Sequence, residues 1–401
     1  MSKFKTYFRS ICAVSSLSVI GAVWLTNTSS LSANETDTVI ESTSEAPAAI
    51  EEMPAVEALT EDSAVEESAT EEPATEESAV ETAAPSEEEP QASISTIQIN
   101  KAALYPEGIE YNPSTGNFLL SSVREGTIYE VTESGVYTPF IEDERLVSTT
   151  GIHIDVERNR ILVPNTDHGL SMHSDPERKL KMAELGIYDL TTGEPLAYAD
   201  LAALQPESGH FANDVAVDNE GNAYVTDSVS PILYKVDPMG NASIFLENER
   251  FTGEGFNFNG IIYHPDGYLM VAKKNEGVLF KVPVEDPENF SEVEIDQQFP
   301  GADGLVLVDN NTLLIVANKL SDVSTNAVFV LNGEQAWENA TVAGSYETGD
   351  VYPTTGVMRG DDAYVVFGQL SGLGAALKED TPEFAESFQI QRVGSQQFVI
   401  E

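Results

Sequence analysis

Apolar and polar residues alternate in short runs along most of this chain, and the runs come in matched pairs. PEGIEY is followed by NFLLSS, TTGIHI by ILVPN, ANDVAV by AYVTDS, FNGIIY by YLMVAK, ADGLVL by LLIVAN, and TTGVMR by AYVVFG. Turn sequences rich in Asp, Asn and Gly separate the two runs of a pair, among them NPSTGN, DNEGN and HPDG. Alternation broken by turn residues every few positions reads as antiparallel β structure. Behind ANDVAVDNEGNAYVTD come ILYKVD at 232–237 and SIFLE at 243–247, which makes four strands in roughly 45 residues, the size of one propeller blade.

Each pair opens on one polar residue: Glu107, Thr150, Asn213, Asn259, Asp303 and Thr355 in turn. Gly follows it in every copy except the third, where Asp214 stands instead. The spacings between these residues are 43, 63, 46, 44 and 52 positions. A unit repeated at such a period marks a repeat architecture. The expected fold is all-β: a six-bladed β-propeller of four-stranded antiparallel blades. The long spacing holds an insertion around 165–184 that looks partly helical and polar. A second insertion, GQLSGLGAALKEDTPEFAE, precedes SFQIQRV in the last unit. Both are expected as loops on one face of the ring. Closure is expected to use ISTIQIN, ahead of the first pair, beside strands from SFQIQRV onward.

In a ring, the six innermost strands aim their opening residues at one axis. The Gly behind five of them lets the chain turn sharply and pass close to its neighbours. Four of the six, Glu107, Asn213, Asn259 and Asp303, supply oxygen, and two of these carry negative charge. Ca²⁺ takes 6–8 oxygen ligands, so the set is expected to hold Ca²⁺, with Mg²⁺ or Mn²⁺ as alternatives.

Composition divides the chain into three parts. Lys3, Lys5 and Arg9 precede an apolar run from Ile11 to Leu25, which reads as a signal peptide, or an N-terminal anchor, over 1–33. Residues 34–95 hold 19 Asp and Glu and no Lys or Arg, and are expected to form an acidic disordered linker. The propeller is expected over 96–401. The protein is therefore expected to be exported, with membrane contact only if the N-terminal segment is retained. The formal net charge of −47 argues against nucleic acid as a partner. Cys12 is the only cysteine, so the domain has neither disulfide nor thiolate metal site.

The ordered set Glu107, Asn213, Asn259-Gly260 and Asp303-Gly304 resembles the regucalcin/gluconolactonase superfamily of six-bladed propellers, whose relatives include diisopropyl-fluorophosphatase and the paraoxonases. The resemblance covers most of 104–367. It implies a catalytic calcium at the floor of the pocket and hydrolysis of lactones or phosphotriesters. Relatives keep a His where this chain has Thr150, and another near Thr355. Asp303 is then the expected general base or nucleophile, and the expected partner is a small-molecule lactone or other ester on a monomeric protein. A non-catalytic exported propeller that binds a ligand or serves as a scaffold is the alternative.

Thr150, His210 and Thr355 are the further candidates to line the pocket, although a loop-structural His210 is the plainer reading. His168 and His173 lie in the second-unit insertion, where they would overhang the pocket as a lid or stand exposed. His153 and His264 read as structural. Arg124 and Lys273-Lys274 follow second strands and read as ion-pairing residues. No GxSxG, HExxH, P-loop or CxxC motif occurs.

Overall fold

The computed structural model describes residues 96–394, and the expected signal peptide and acidic linker lie outside them. The described residues form β-meanders and short connecting turns, with one α-helix, Leu370–Ala376. The third repeat shows the pattern: His210–Val217, Ala223–Asp227, Ile232–Val236 and Ala242–Glu247 pair in order, each antiparallel to the next.

The second strand of each meander is mostly apolar and buried because both of its faces are covered. In Ala223–Asp227, Val225 packs into the core shared with the preceding meander and Tyr224 into the core shared with the following one. The fourth strand, Ala242–Glu247, faces solvent and is half exposed. Hydrophobic cores thus lie between successive meanders. One of them joins the last to the first through Ile97, Phe118, Tyr364 and Phe388. The first strands follow one another around a closed cycle, the last, Pro353–Arg359, neighbouring the first, Ile109–Asn112.

Four sheets are separate and four-stranded, and the fifth has nine strands, where six separate blades were expected. The nine-stranded sheet contains the second and third meanders. They are joined because Lys181–Asp189 begins early enough for Lys181 and Met182 to run parallel to His210 and Phe211. The insertion before that strand is a series of turns, not the partly helical segment its composition suggested. Gly169, at φ +87, and Pro176 both interrupt helical backbone there.

The last sheet is shared between the two ends of the described chain. Thr96–Ile99 is its outermost strand and pairs antiparallel with Phe388–Val393, Ile97 opposite Ile390. This is the closure expected of ISTIQIN and SFQIQRV.

Candidate functional site

Four of the innermost strands lose register with their neighbours at the repeat's polar residue. The shift falls between Ala212 and Val215, Phe258 and Ile261, Ala302 and Leu305, and Pro353 and Gly356. A bulge of this kind re-aims a side chain that regular pleating would send elsewhere. It turns Asn213, Asn259 and Asp303 toward a central cavity of about 170 Å³ that Glu107 and Thr150 also line. All five are buried.

The same register corrects one sequence expectation. In the last meander the residue equivalent to Asn213, Asn259 and Asp303 is Thr354, not Thr355, because each stands directly after the residue that opens the bulge. Thr354 donates its hydroxyl to the Glu107 carbonyl at 2.7 Å. Thr355 takes the place that Gly260 and Gly304 hold in their strands, and lines a second cavity, of about 270 Å³, with Glu110, His153 and Asp214. The repeated Gly serves close approach: a Cβ on Gly304 would stand 2.4 Å from the Cα of Thr355, and one on Gly260 2.2 Å from the Asp303 carbonyl oxygen. Neither has a positive φ, so close packing, not a sharp turn, accounts for these two glycines.

His210 is also corrected: it does not line the central cavity. Its Nδ1 meets Asp227 Oδ2 at 2.9 Å and its Nε2 meets the Gln205 carbonyl at 2.8 Å. Tyr234 donates to the same Asp227 oxygen at 3.0 Å. This is a buried structural network. His168 does reach the cavity, edge-on to Phe211 with ring centroids 5.2 Å apart. Leu170, from the same insertion, and Leu370 and Ser371, from the last one, complete that wall with Phe256.

The residue that sequence reading left outside the site is Lys274. It directly follows the strand Tyr268–Lys273, its N–H bonded to the Asn257 carbonyl and its own carbonyl to Gly301 N–H. Asn318 holds the equivalent position in the next meander, its N–H bonded to Gly301 O. From there the Lys274 ammonium reaches Asp303 Oδ2 at 2.9 Å and Asn318 Oδ1 at 2.8 Å. The Asn318 amide donates to that same Asp303 oxygen and to the Pro353 carbonyl. Lys274 is 5% exposed and Asp303 3%. The Tyr352 ring lies 5.7 Å from the ammonium. The only sequence signal was a lysine pair closing a run whose counterpart in the next repeat, LLIVAN, closes on Asn.

Burial alone would pull the Lys274 ammonium down, but Asp303 outweighs it and holds the group above its ordinary value. Burial pushes the Glu107 carboxyl well above the usual range, and Asp303 and Asp214 add to the rise against Lys274. Burial also lifts the Asp303 carboxyl, against the pull of Lys274 and Asn318, so the pair is only partly compensated, and the Glu107 carboxyl beside it is raised as well.

The calcium that the resemblance implies meets this arrangement badly. The oxygen donors are of the right kind, and Oδ1 of Asn213 is buried with no hydrogen-bond partner. Yet Asp303 Oδ2, a charged donor of the set, already holds an ammonium and an amide N–H. A Ca²⁺ ligated there at about 2.4 Å would stand within about 5 Å of Lys274 Nζ. At an effective dielectric of about 20, that repulsion is roughly 7 kcal/mol. Binding there would also displace the hydrogen bonds that Asp303 Oδ2 accepts from Lys274 and Asn318. The residues as they stand do not fit a divalent cation.

The sequence matches no protein-family model, and no curated protein is significantly similar to it. Solved structures are similar in fold. The major allergen Mala s 1 of Malassezia sympodialis shares 14% identity over 75% of this chain and 96% of its own, with a TM-score of 0.60. Regucalcin of Agrobacterium tumefaciens, a calcium-binding protein, shares 15% over 75% and 95%, with a TM-score of 0.50. Virginiamycin B lyase of Staphylococcus aureus shares 14% over 76% and 87%, with a TM-score of 0.50. At these identities the likeness is one of fold: the chain is an all-β propeller of the kind that regucalcin and its relatives have, as the motif resemblance implied.

Proposed function

We propose that this protein hydrolyses a small ester, most simply a lactone, in the central cavity. The observation that carries the reading is the placement of two carboxyl groups, Glu107 and Asp303, and one ammonium, Lys274, around one small cavity whose outer wall is apolar. Phe211, Phe256, Leu170 and Leu370 suit a carbon skeleton, and the charged floor suits an ester group.

In this reading Asp303 takes a proton from water through the oxygen that Lys274 does not hold. That water's oxygen bonds to the ester carbon, and Lys274 faces the charge that grows on the carbonyl oxygen. The bond to the leaving oxygen then breaks, and Glu107 supplies its proton. Acid and alcohol leave, joined as one hydroxy acid when the ester is a lactone, and the proton on Asp303 returns to Glu107 through solvent. The nine-stranded sheet counts in this reading as two blades joined edge to edge, which makes the ring six-bladed. Export of the domain on an acidic tether belongs to the same reading.

Turnover of lactones, aryl esters and phosphotriesters by the purified full chain tests it. Hydrolysis of one class that falls by on the order of 10²-fold or more in both Asp303→Asn and Glu107→Gln supports it. No turnover of any class would sink it. The second reading, a ligand-binding propeller without chemistry, is favoured by one observation: Lys274 and Asp303 pair with each other and with Asn318, as a structural network would.

A further inference from the structure

The centre of the ring poses a question that its oxygen donors alone do not. Four of them face one cavity, which is the arrangement a cation would need, and a lysine from a neighbouring strand end enters among them. Nζ of Lys274 lies 2.9 Å from Asp303 Oδ2, and Asn318 orients both groups by accepting from the ammonium and donating to the carboxylate. The backbone of the lysine is held on both sides, by Asn257 and by Gly301, which fixes the point from which its side chain enters the site.

We propose that Lys274 is the resident cation of this site: its ammonium takes the place of a divalent metal at the propeller axis and keeps calcium out. The inference stands on the position of the side chain and holds whether or not the cavity turns over an ester. A fixed single charge with an N–H donor on a floor walled by Phe211, Phe256 and Leu370 selects one ligand class, a small apolar molecule carrying a carbonyl or carboxylate oxygen. It also frees the site from the supply of metal, since the cation is part of the chain.

Calcium titration of the full chain, in 0.15 M NaCl and followed by calorimetry and thermal melting, tests the proposal. The Asp303→Asn variant is the blank that subtracts loose binding to the acidic segment. Wild type is expected to show no difference from that blank in calcium uptake, and no change in melting between calcium chloride and EDTA. Lys274→Met is expected to gain a single calcium site, with a melting temperature that rises on the order of 5 °C at about 100-fold the Kd. That gain should vanish in the Lys274→Met/Asp303→Asn double variant. A one-site calcium isotherm in wild type that Asp303→Asn removes would overturn the proposal. So would a folded Lys274→Met that takes up no calcium. If Lys274→Met does not fold, Lys274→Gln is read by the same criteria. If neither folds, the wild-type titration decides between a cation built into the chain and one bound from solution.

Discussion

Nζ of Lys274 and Oδ2 of Asp303 lie 2.9 Å apart, each side chain shielded from water, one from the fourth meander and the other from the fifth. A buried pair of this kind costs little while whole and a great deal when halved. Lys274→Met and Asp303→Asn are each expected to lose about 3–5 kcal/mol of stability, because each leaves a buried charge without its partner. The double variant should lose less than the sum, with a coupling of at least about 1 kcal/mol. Urea denaturation of the four proteins measures the cycle, and simple additivity would show that the contact is not formed.

Phe256 stands at the mouth of the cavity, packed edge-on against Phe211 with ring centroids 5.0 Å apart. It carries no charge and holds no backbone in place. Phe256→Ala is expected to raise the KM for an ester about 10-fold and to leave kcat within about 2-fold, the signature of lost uniform binding. Steady-state kinetics on whichever ester class is turned over separates the two constants. A fall in kcat alone would move Phe256 from the wall to the chemistry.

His210 points both ring nitrogens at acceptors, Asp227 and the Gln205 carbonyl, which favours the imidazolium. Burial opposes the charge, but the Asp227 hydrogen bond wins and raises the group above its ordinary value. With the folded value above the unfolded one, the stabilisation is fully present below about pH 6.5 and fades as pH rises through the folded value. The stability gap between wild type and His210→Asn should therefore narrow from pH 6 to pH 9. Melting curves across that range check the sign, and esterase activity should be unchanged by the substitution at fixed stability.

His168 works in the opposite direction. Burial pushes it down to about 4, with Asp167 resisting and Lys179 assisting. Here the unfolded chain takes the proton first, so stability is intact above about pH 6.5 and is lost as pH falls toward 4, by about 3 kcal/mol in all. His168→Phe should flatten that acid limb of the stability profile. A limb of unchanged depth in the variant would place its origin elsewhere.

Gly304 lies against Thr355, and a Cβ there would come within 2.4 Å of its Cα. Gly304→Ala is expected to cost about 3 kcal/mol through overpacking between two innermost strands. Gly372→Ala, on the short helix with open space around it, should cost nothing measurable and serves as the control. Chemical denaturation of both variants tests the contrast.

The ring was legible in the sequence because one pattern is written several times, and the polar residue interrupting each apolar run marks the strand end at the axis. Glu107, Asn213, Asn259 and Asp303 could be found in this way, since each stands at the same step of its own repeat. Thr355 was misplaced by one step because the Gly that marks the repeat stands one position later in TTGVMR, where Thr355 itself occupies the step of Gly260 and Gly304. Separate sheets were expected where Lys181 and Met182 instead bridge two meanders, a pairing that depends on the length of an insertion. Lys274 was invisible as a site residue for a different reason. Its role depends on Asp303 in the next meander, and ion pairing across meanders leaves no period along the chain.

The strand Thr96–Ile99 lies beside Phe388–Val393, so the sheet that fastens the ring is assembled from both ends of the domain. During synthesis the middle sheets can form one by one, yet the circle stays open until Val393 has been made. Until then Ile97 and Ile99 lack the partners that later bury them. Closure is a single late event across nearly the whole domain, and its entropic cost falls due at the end. A chain cut short of that point keeps an unfastened edge, free to pair with the same edge on another copy.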